Sequence, residues 1–474
     1  MKPRFAVVCL LICLLFAYLG QPVLAVETQP NIVLIYIDDF GWRDTGFNGS
    51  QFHETPHMDR IANEGINFVN AYANAPNCAP SRACLMSGQY SPRHGIYTVG
   101  NSDRGKAATR RLIPVKTETI LPATVQTLPE TLKTAGYATC FLGKWHLGDQ
   151  QTGPLGQGFD QNFGGLTWGH PKGYFSPYRN PQLKDGPRGE YLTDRLTEET
   201  IGFIRGNQKG DRKPFFVCLS HYAVHTPIQA KAEITKRYSS KKVVDGQDNA
   251  RYAAMIESVD EGIGKIMDLL ESEKLLDQTL VILYSDNGGY GGATDNSPLR
   301  GSKGMMYEGG IRVPLAMRWP GTIPAGSTCK TPVIGTDLYP TLANIASASL
   351  PASQKLDGEN ILPLMRGEKK LRRDSIFWHF PAYLQGRFPG ARNEDRFFRT
   401  RPASAIRSGD WKLIQFFEDN GLELYNLAED PSEKKNLAQS QPDKRDELYR
   451  KLESWQKEIS APIPTTLNPK FKAR

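Results

Sequence analysis

Cysteine is scarce and unpatterned in this chain. Seven cysteines are spread over 474 residues, and two of them, Cys9 and Cys13, fall in an N-terminal apolar run. The other five, Cys78, Cys84, Cys140, Cys218 and Cys329, form an odd set without C-x-x-C spacing, which excludes a disulfide framework and a structural zinc site. Long hydrophobic runs are scarce too. The one candidate, "AVVCLLICLLFAYLG", is short for a membrane span. It follows a basic start, "MKPRF", and precedes "PVLA", whose small residues resemble a cleavage site. Residues 1–25 therefore read as a signal peptide ending at Ala25, with an uncleaved anchor as the alternative. Neither Cys9 nor Cys13 has the flank of a lipid-modified cysteine. Export to a periplasmic, secreted or lumenal compartment is expected, with no stable membrane insertion after cleavage. Internal repeats, low-complexity tracts and nucleic-acid modules are missing, and basic charge alone implies no nucleic-acid partner.

What is present fits a globular exported protein. A hydrophobic fraction of 39% is ample for a core,. The length predicts a large domain with a smaller companion: residues 26–365, then 366–474. The formal charge of +8 favours an anionic substrate or surface,.

Four stretches share one pattern, an apolar run that ends in polar residues. "NIVLIYIDDFG" ends in Asp38 and Asp39, and "YATCFLGKWHLG" in Lys144 and His146. "PFFVCLSHYAVHTP" ends in His221 and His225, and "TLVILYSDNGG" in Asp286 and Asn287. Continuous apolar runs of this length predict strands buried on both faces. Helical patterns lie between them, in "HMDRIANEGINFVNAYA", "TLPETLKTAGYA" and "RYAAMIESVDEGIGKIMDLLESEKLLD". The alternation predicts an α/β fold with a large, mostly parallel sheet flanked by helices. Ligands of such sheets gather beyond the carboxyl ends of the strands, where all four polar clusters fall. Past residue 365, "SIFWHF", "ASAIRSGDWKLIQFF" and "LELYNL" predict a small antiparallel sheet. A polar helix from about Lys434 to Ile459 follows.

Asp38, Asp39, Asp286 and Asn287 supply hard oxygen donors suited to Ca²⁺ or Mg²⁺ rather than zinc. Asp and Asn also cap turns after strands, but two adjacent carboxylates at a buried strand end call for a cation. Cys78, in "NCAPSRACLMSG", sits where Pro80 marks the first turn of a helix. Arg82 is on the same helix face. This setting predicts a thiol of depressed pKa, against the alternative of an inert buried cysteine. Cys140 and Cys218 lie in strand-like runs and read as core. Cys329 reads as a surface or pairing thiol, and His221 as a packed residue.

"CAPSRACLMSG" with "GQYSPRHG" after it resembles the signature of the sulfatase family, within the alkaline phosphatase superfamily. "NIVLIYIDDFGW", "GKWHLG", "HTP", "SDNGG", "LRGSKGMMYEGGIRVP" and "LYNLAEDPSEKKNLA" resemble the family's other motifs in order, from about Asn31 to Leu437. Two positions depart from the pattern. Ala79 stands where a hydroxyl residue is frequent, and Cys84, read as packing, stands where alanine is common.

The resemblance implies an alkaline phosphatase-like fold and a sulfuric ester hydrolase. It implies that a formylglycine-generating enzyme oxidises Cys78 to formylglycine. One hydroxyl of the hydrated aldehyde would attack sulfur and the substrate alcohol would leave. Deprotonation of the second hydroxyl would then expel sulfate. Asp38, Asp39, Asp286, Asn287 and the matured Cys78 would hold Ca²⁺ in preference to Mg²⁺. Arg82, Lys144 and Lys303 would stabilise negative charge, His146 would orient or deprotonate the diol, and His225 would protonate the leaving oxygen with help from Lys303.

Arg387, Arg392, Arg396, Arg399 and Arg401 crowd one loop, and Trp168, His170, Tyr174 and Tyr178 another. Both would suit a sulfated saccharide, although an aryl sulfate also satisfies the motifs. Solvated loops are the plainer reading. Two rival functions stand beside this one. One is a phosphonate or phosphate ester hydrolase of the same superfamily. The other is a silent sulfated-glycan-binding protein, which would be expected to have lost a ligand or a lysine; every one is present.

Overall fold

The computed structural model describes residues 29–368, 371–393 and 395–472. The leader expected over residues 1–25, with Cys9 and Cys13, lies outside the described residues.

The four predicted strands form the middle of an eight-stranded sheet. Ala138–Gly143, Phe215–Ser220, Asn31–Ile37 and Thr279–Ser285 lie side by side in that order, all parallel. Gln161–Phe163 extends the sheet at one edge, again parallel. At the other edge Leu315–Arg318 runs antiparallel to both its neighbours, and Ile66–Phe68 and Ser327–Cys329 complete the order.

The apolar runs are continuous because both faces of these strands are covered. Ile32, Leu34 and Tyr36 of the first strand point into one core with Phe216, Cys218, Leu280 and Ile282. Val33, Ile35 and Ile37 point into the other with Cys140, Val217, Val281 and Leu283. This is the two-residue period of a strand sandwiched between helix layers. Helices Cys78–Ser87, Leu128–Thr134 and Leu338–Ile345 cover the first face. Pro56–Asn63, Leu192–Lys209 and Ala250–Ser272 cover the second. The helix Leu192–Lys209 was not anticipated. The helical pattern of "HMDRIANEGINFVNAYA" holds only in its first part: the helix stops at Asn63, and Ile66–Phe68 and Ala71–Tyr72 are strands. "EG" breaks the helix, and the β-branched and aromatic residues after it suit strands.

Toward the C-terminus, Ser375–Phe380, Ala403–Ser408, Trp411–Phe416 and Gly421–Asn426 form a four-stranded antiparallel sheet in sequence order. Its helix spans Pro442–Glu458, beginning later than the predicted Lys434, because Pro442 sits at the first turn,. Leu448, Leu452 and Trp455 of that helix share a core with Trp378 and Ile406 of the sheet. Tyr72, Tyr90, Met305 and Ile311 reach the same core from the preceding part of the chain. No described helix is long and apolar enough to cross a membrane.

Candidate active site

Most of the predicted site residues follow a strand or lie in the first turns of a helix, and Lys303 lies in the loop between Thr279–Ser285 and the short helix Glu308–Ile311. Asp38 and Asp39 come directly after Asn31–Ile37. Asp38 is fixed to the neighbouring strand's exit through its N–H to the Ala223 carbonyl at 3.0 Å and its carbonyl to the Val224 N–H at 2.8 Å. Asp39 has φ 59°, a left-handed conformation that Asp tolerates better than most side chains,. Tyr252 Oη donates to its carbonyl at 3.1 Å. Asp286 and Asn287 leave Thr279–Ser285 alongside: the Asp286 N–H reaches the Ile37 carbonyl at 3.2 Å, and Asn287 Nδ2 donates to Asp39 Oδ1 at 2.9 Å. Lys144 follows Gly143, whose φ of 94° places its Cα where a side-chain carbon would lie 2.0 Å from the Ser220 carbonyl oxygen. Only glycine permits that turn out of the strand.

Cys78 is the first residue of the helix Cys78–Ser87 and is buried. Arg82, one turn on, donates from Nε to Asp286 Oδ2 at 2.9 Å and from Nη1 to the Lys144 carbonyl at 2.7 Å. Lys144 Nζ pairs with Asp38 Oδ2 at 2.5 Å, and Lys303 Nζ with Asp39 Oδ1 at 2.6 Å. His225 Nε2 lies 3.7 Å from Asp39 Oδ2. Its Nδ1 is 2.8 Å from the Thr226 carbonyl, which can only accept, so Nδ1 carries a proton and Nε2 faces the site. His146 Nδ1 lies 3.4 Å from Cys78 Sγ. Asp38, Cys78 and Asp286 each offer a ligand atom within 4.8 Å of the others. The ten predicted residues thus form one connected cluster.

Burial dominates the electrostatics. It pushes the Cys78 thiol up, against Lys144 and Lys303, which lower it. The expected depressed pKa is therefore overturned: a dry site disfavours the thiolate more than nearby cations favour it. Burial, then Asp286, hold the Asp38 carboxyl well above the usual range. Burial would raise Asp39 too, but Lys303, His225 and Lys144 bring it below the usual range. Burial, with Lys144 and Arg82, keeps His146 neutral. Burial and Lys303 bring His225 down to about 3.

The donor set fits a hard divalent cation. Asp38 Oδ1 and Asn287 Oδ1 are buried without a hydrogen-bond partner among the described groups. Two oxygens of this kind beside two further carboxylates make an oxygen-rich site of the type Ca²⁺ and Mg²⁺ take.

Cys78, His146, His225 and Lys303 line a cavity of about 240 Å³. Arg104, His170, Gln385 and Arg399 share its walls. The His170 ring stacks on His225, centroids 6.2 Å apart. Nothing in the sequence singled out Arg104 or Gln385, which only folding brings there. A larger hollow of about 920 Å³, lined by residues such as Arg300, Arg387 and Glu433, holds none of the predicted site residues.

The remaining expectations divide. Arg392 pairs with Asp419 and Glu423, each at 3.1 Å, and Arg401 with Asp395 and Glu418. Tyr174 and Tyr178 are buried in the core, their hydroxyls bonded to the Tyr222 carbonyl and to Glu190. Trp168 is covered by Lys172 Nζ, 4.5 Å from the ring centroid. Of these two loops only His170 and Arg399 reach the cavity. Cys329 is buried, not a surface thiol, and has no disulfide partner among the described residues. Cys84 is buried with Sγ 3.4 Å from His94 Nε2. His221 is buried, its ring nitrogens without a partner among the described groups.

Comparison with known proteins agrees with this architecture. The family model described as Sulfatase matches residues 30–348, and one described as N-sulphoglucosamine sulphohydrolase, C-terminal, matches residues 302–460. A Sulfatase of Formosa agariphila is 34% identical, with 94% of each chain covered. The N-acetylgalactosamine-6-sulfatase of Homo sapiens is 34% identical over 74% of this chain and 68% of its own. The structure of Ps i-CgsB in complex with k-i-k-neocarrahexaose superposes with TM-score 0.76 at 32% identity, covering 93% of this chain and 96% of that one. The chain belongs to the sulfatase family and is a sulfuric ester hydrolase.

Proposed function

We propose that the chain removes sulfate from a sulfated carbohydrate, or from an aryl sulfate, with Cys78 matured to formylglycine and with a divalent cation, Ca²⁺ in preference to Mg²⁺. The observation that carries this reading is the cluster around Cys78. Three side-chain cations, three carboxylates and two histidines meet at one sheet edge, beside a cavity with no acidic residue in its lining. Two of the relatives support a saccharide substrate: one is named N-acetylgalactosamine-6-sulfatase, and one was solved in complex with k-i-k-neocarrahexaose.

Asp38, Asp39, Asp286 and Asn287 would hold the cation, with an oxygen of the matured Cys78 completing the set. The bound cation would act as a Lewis acid toward the nucleophile and a sulfonyl oxygen. Arg82 and Lys144 fix the carboxylates and place positive charge beside the nucleophile. Lys303 stays protonated: burial disfavours its charge, but Asp39, with Cys78, Asp38 and Asp286, more than offsets it, and it faces the leaving side with His225. His225 is neutral in the free site. An incoming sulfate anion supplies the negative charge that favours its protonated form, with the proton on Nε2 directed at the leaving oxygen. His146, neutral and next to Cys78, accepts a proton from the matured side chain when sulfate is expelled. Export through the leader, maturation by a formylglycine-generating enzyme, and a division into a catalytic unit (26–365) and a C-terminal unit (366–474) complete the reading.

The test is protein produced together with a formylglycine-generating enzyme. The peptide containing Cys78 should show the mass of the aldehyde or its hydrate. Turnover should be found on a panel of sulfated mono- and oligosaccharides and on nitrophenyl sulfate, and chelation should abolish it. Full turnover by protein bearing only thiol at residue 78, or a preference for aryl phosphonate esters, would overturn the reading.

A further inference from the structure

We propose that Arg104 and Arg399 form a second anion-binding subsite, which recognises a further acidic substituent (sulfate ester or carboxylate) on the saccharide whose sulfate is cleaved. The proposal rests on the reading of the chain as a carbohydrate sulfatase. Both arginines line the cavity that holds Cys78, yet neither belongs to the catalytic cluster. They come from distant parts of the chain, Arg104 from a loop after Val99 and Arg399 from the short strand Phe398–Thr400.

Arginines that stand behind or away from the cavity lining have carboxylate partners: Arg82 has Asp286, Arg392 has Asp419 and Glu423, and Arg401 has Asp395 and Glu418. Arg104 and Arg399 have none within 4.0 Å among the described residues. Their contacts are with neutral groups. Arg104 Nη2 donates to the Val99 carbonyl. Arg399 donates from Nε to the Gln385 carbonyl at 3.3 Å and from Nη1 to the Lys303 carbonyl at 3.4 Å, and its guanidinium lies 4.4 Å from the Phe388 ring centroid. These contacts steady each head without neutralising it.

Burial and the neighbouring Arg104 both disfavour the charged form of Arg399. Two unpaired guanidiniums facing one acid-free cavity are complementary to an anion. Lys303 and Lys144 are ion-paired to Asp39 and Asp38 and are assigned to the scissile group, which leaves Arg104 and Arg399 for a second anion.

The neighbouring surface gives a saccharide room to extend. A hollow of about 600 Å³, lined by Asn101, Asp103 and Arg110, shares Arg104 and Gln385 with the catalytic cavity. Its acid, Asp103, is held by Arg110 at 3.4 Å. A sugar next to the cleaved one would therefore pass Arg104 on its way out.

The experiment compares three oligosaccharides of equal length: one bearing only the scissile sulfate, one with a second sulfate, and one with a uronate carboxylate. In wild-type protein kcat/KM should be higher for at least one doubly charged substrate than for the singly sulfated one. Arg399→Ala and Arg104→Ala should each lower that ratio about tenfold, the effect of losing one charge-assisted contact. The change should fall mainly on KM, with partial recovery in Arg399→Lys. The responding substrate identifies the anion. Taking the ratio cancels any disturbance of Lys303 through its carbonyl, since that disturbance acts on all three substrates. Calorimetric binding of the same oligosaccharides to the Cys78→Ala protein needs no turnover, so it tests the subsite even if no substrate in the set is hydrolysed. Equal losses on all three, or ratios unchanged from wild type in both kinetics and binding, would overturn the subsite. Absence of hydrolysis with the binding preference intact would count against the sulfatase reading alone.

Discussion

His225 and Arg82 differ in what they touch, and this makes their roles separable. His225 presents Nε2 to the cavity and is tied to the Thr226 carbonyl behind it. Arg82 is locked against Asp286 and, in the proposed reading, would act on charge common to every substrate. A nitrophenolate leaves with little protonation, whereas a sugar alkoxide needs a proton, and general acid assistance is worth about 10²–10⁴-fold. His225→Ala should therefore lower kcat/KM on a sugar sulfate by a factor in that range, with a much smaller loss on nitrophenyl sulfate. Arg82→Ala should lower both alike, with maturation of Cys78 checked by mass. Equal losses for His225→Ala would remove it from the general-acid role. Asp286→Ala removes one carboxylate of the proposed cation site and also frees Arg82. It should abolish both bound metal, read by elemental analysis, and turnover; protein that keeps either would contradict the ligand assignment.

Elements hold these residues through contacts between helices and strand ends. The helix Pro56–Asn63 has no side-chain cap from its own Thr55. Its first amides are met from another element: Asp260, within Ala250–Ser272, accepts from the Met58 N–H at 2.8 Å and the His57 N–H at 3.1 Å. Removing such a cap costs about 1–2 kcal/mol, so Asp260→Ala should lower the urea midpoint accordingly, and Asp260→Asn, which keeps an acceptor, should lower it less. Burial pushes the Asp260 carboxyl up to about 7, against about 4 for an ordinary aspartate. The folded state therefore binds the proton more tightly. The stability this gives is full below about pH 4 and is lost as pH rises toward 7. Because Asp260→Asn cannot titrate, wild type should lose stability relative to it across that window. A constant difference would show that Asp260 keeps an ordinary pKa. This cap was not legible in the sequence, because its two partners are two hundred residues apart and neither forms a local motif.

At the scale of the whole molecule, the C-terminal sheet is joined to the rest by a buried charge cluster as well as by its apolar core. Lys412, fully buried, lies 3.0 Å from Glu308 and 2.8 Å from Glu433. Glu308 also accepts from Tyr72 Oη at 2.7 Å. Removing one partner of a buried ion pair costs about 3–5 kcal/mol, since the charge left behind is neither solvated nor paired. Lys412→Met should thus destabilise the protein by that amount in chemical denaturation, and adding Glu308→Gln and Glu433→Gln should recover part of the loss. If Lys412→Met changes stability by less than about 1 kcal/mol, the cluster does not hold the two sheets together. Gln385 and Arg399 reach the cavity wall from a separate two-stranded pairing, Leu384–Gln385 with Phe398–Thr400, that lies in the chain between the first two strands of the C-terminal sheet.

The sequence by itself determined the four central strands, since runs such as Val33 to Ile37 can bury both faces only inside a parallel sheet. It also determined the polar ends of those strands, because one strand direction sends all of them to one edge. The family motifs carried the site residues one by one. Strand order, the antiparallel Leu315–Arg318, and the end of the helix at Asn63 were decided by tertiary packing, which overrode a local helical pattern. So were the raised thiol of Cys78 and the pairing of Arg392 and Arg401 away from the cavity. A residue type gives a charge; only the folded surroundings decide whether that charge is dry, matched or left facing a cavity, as Arg104 and Arg399 are.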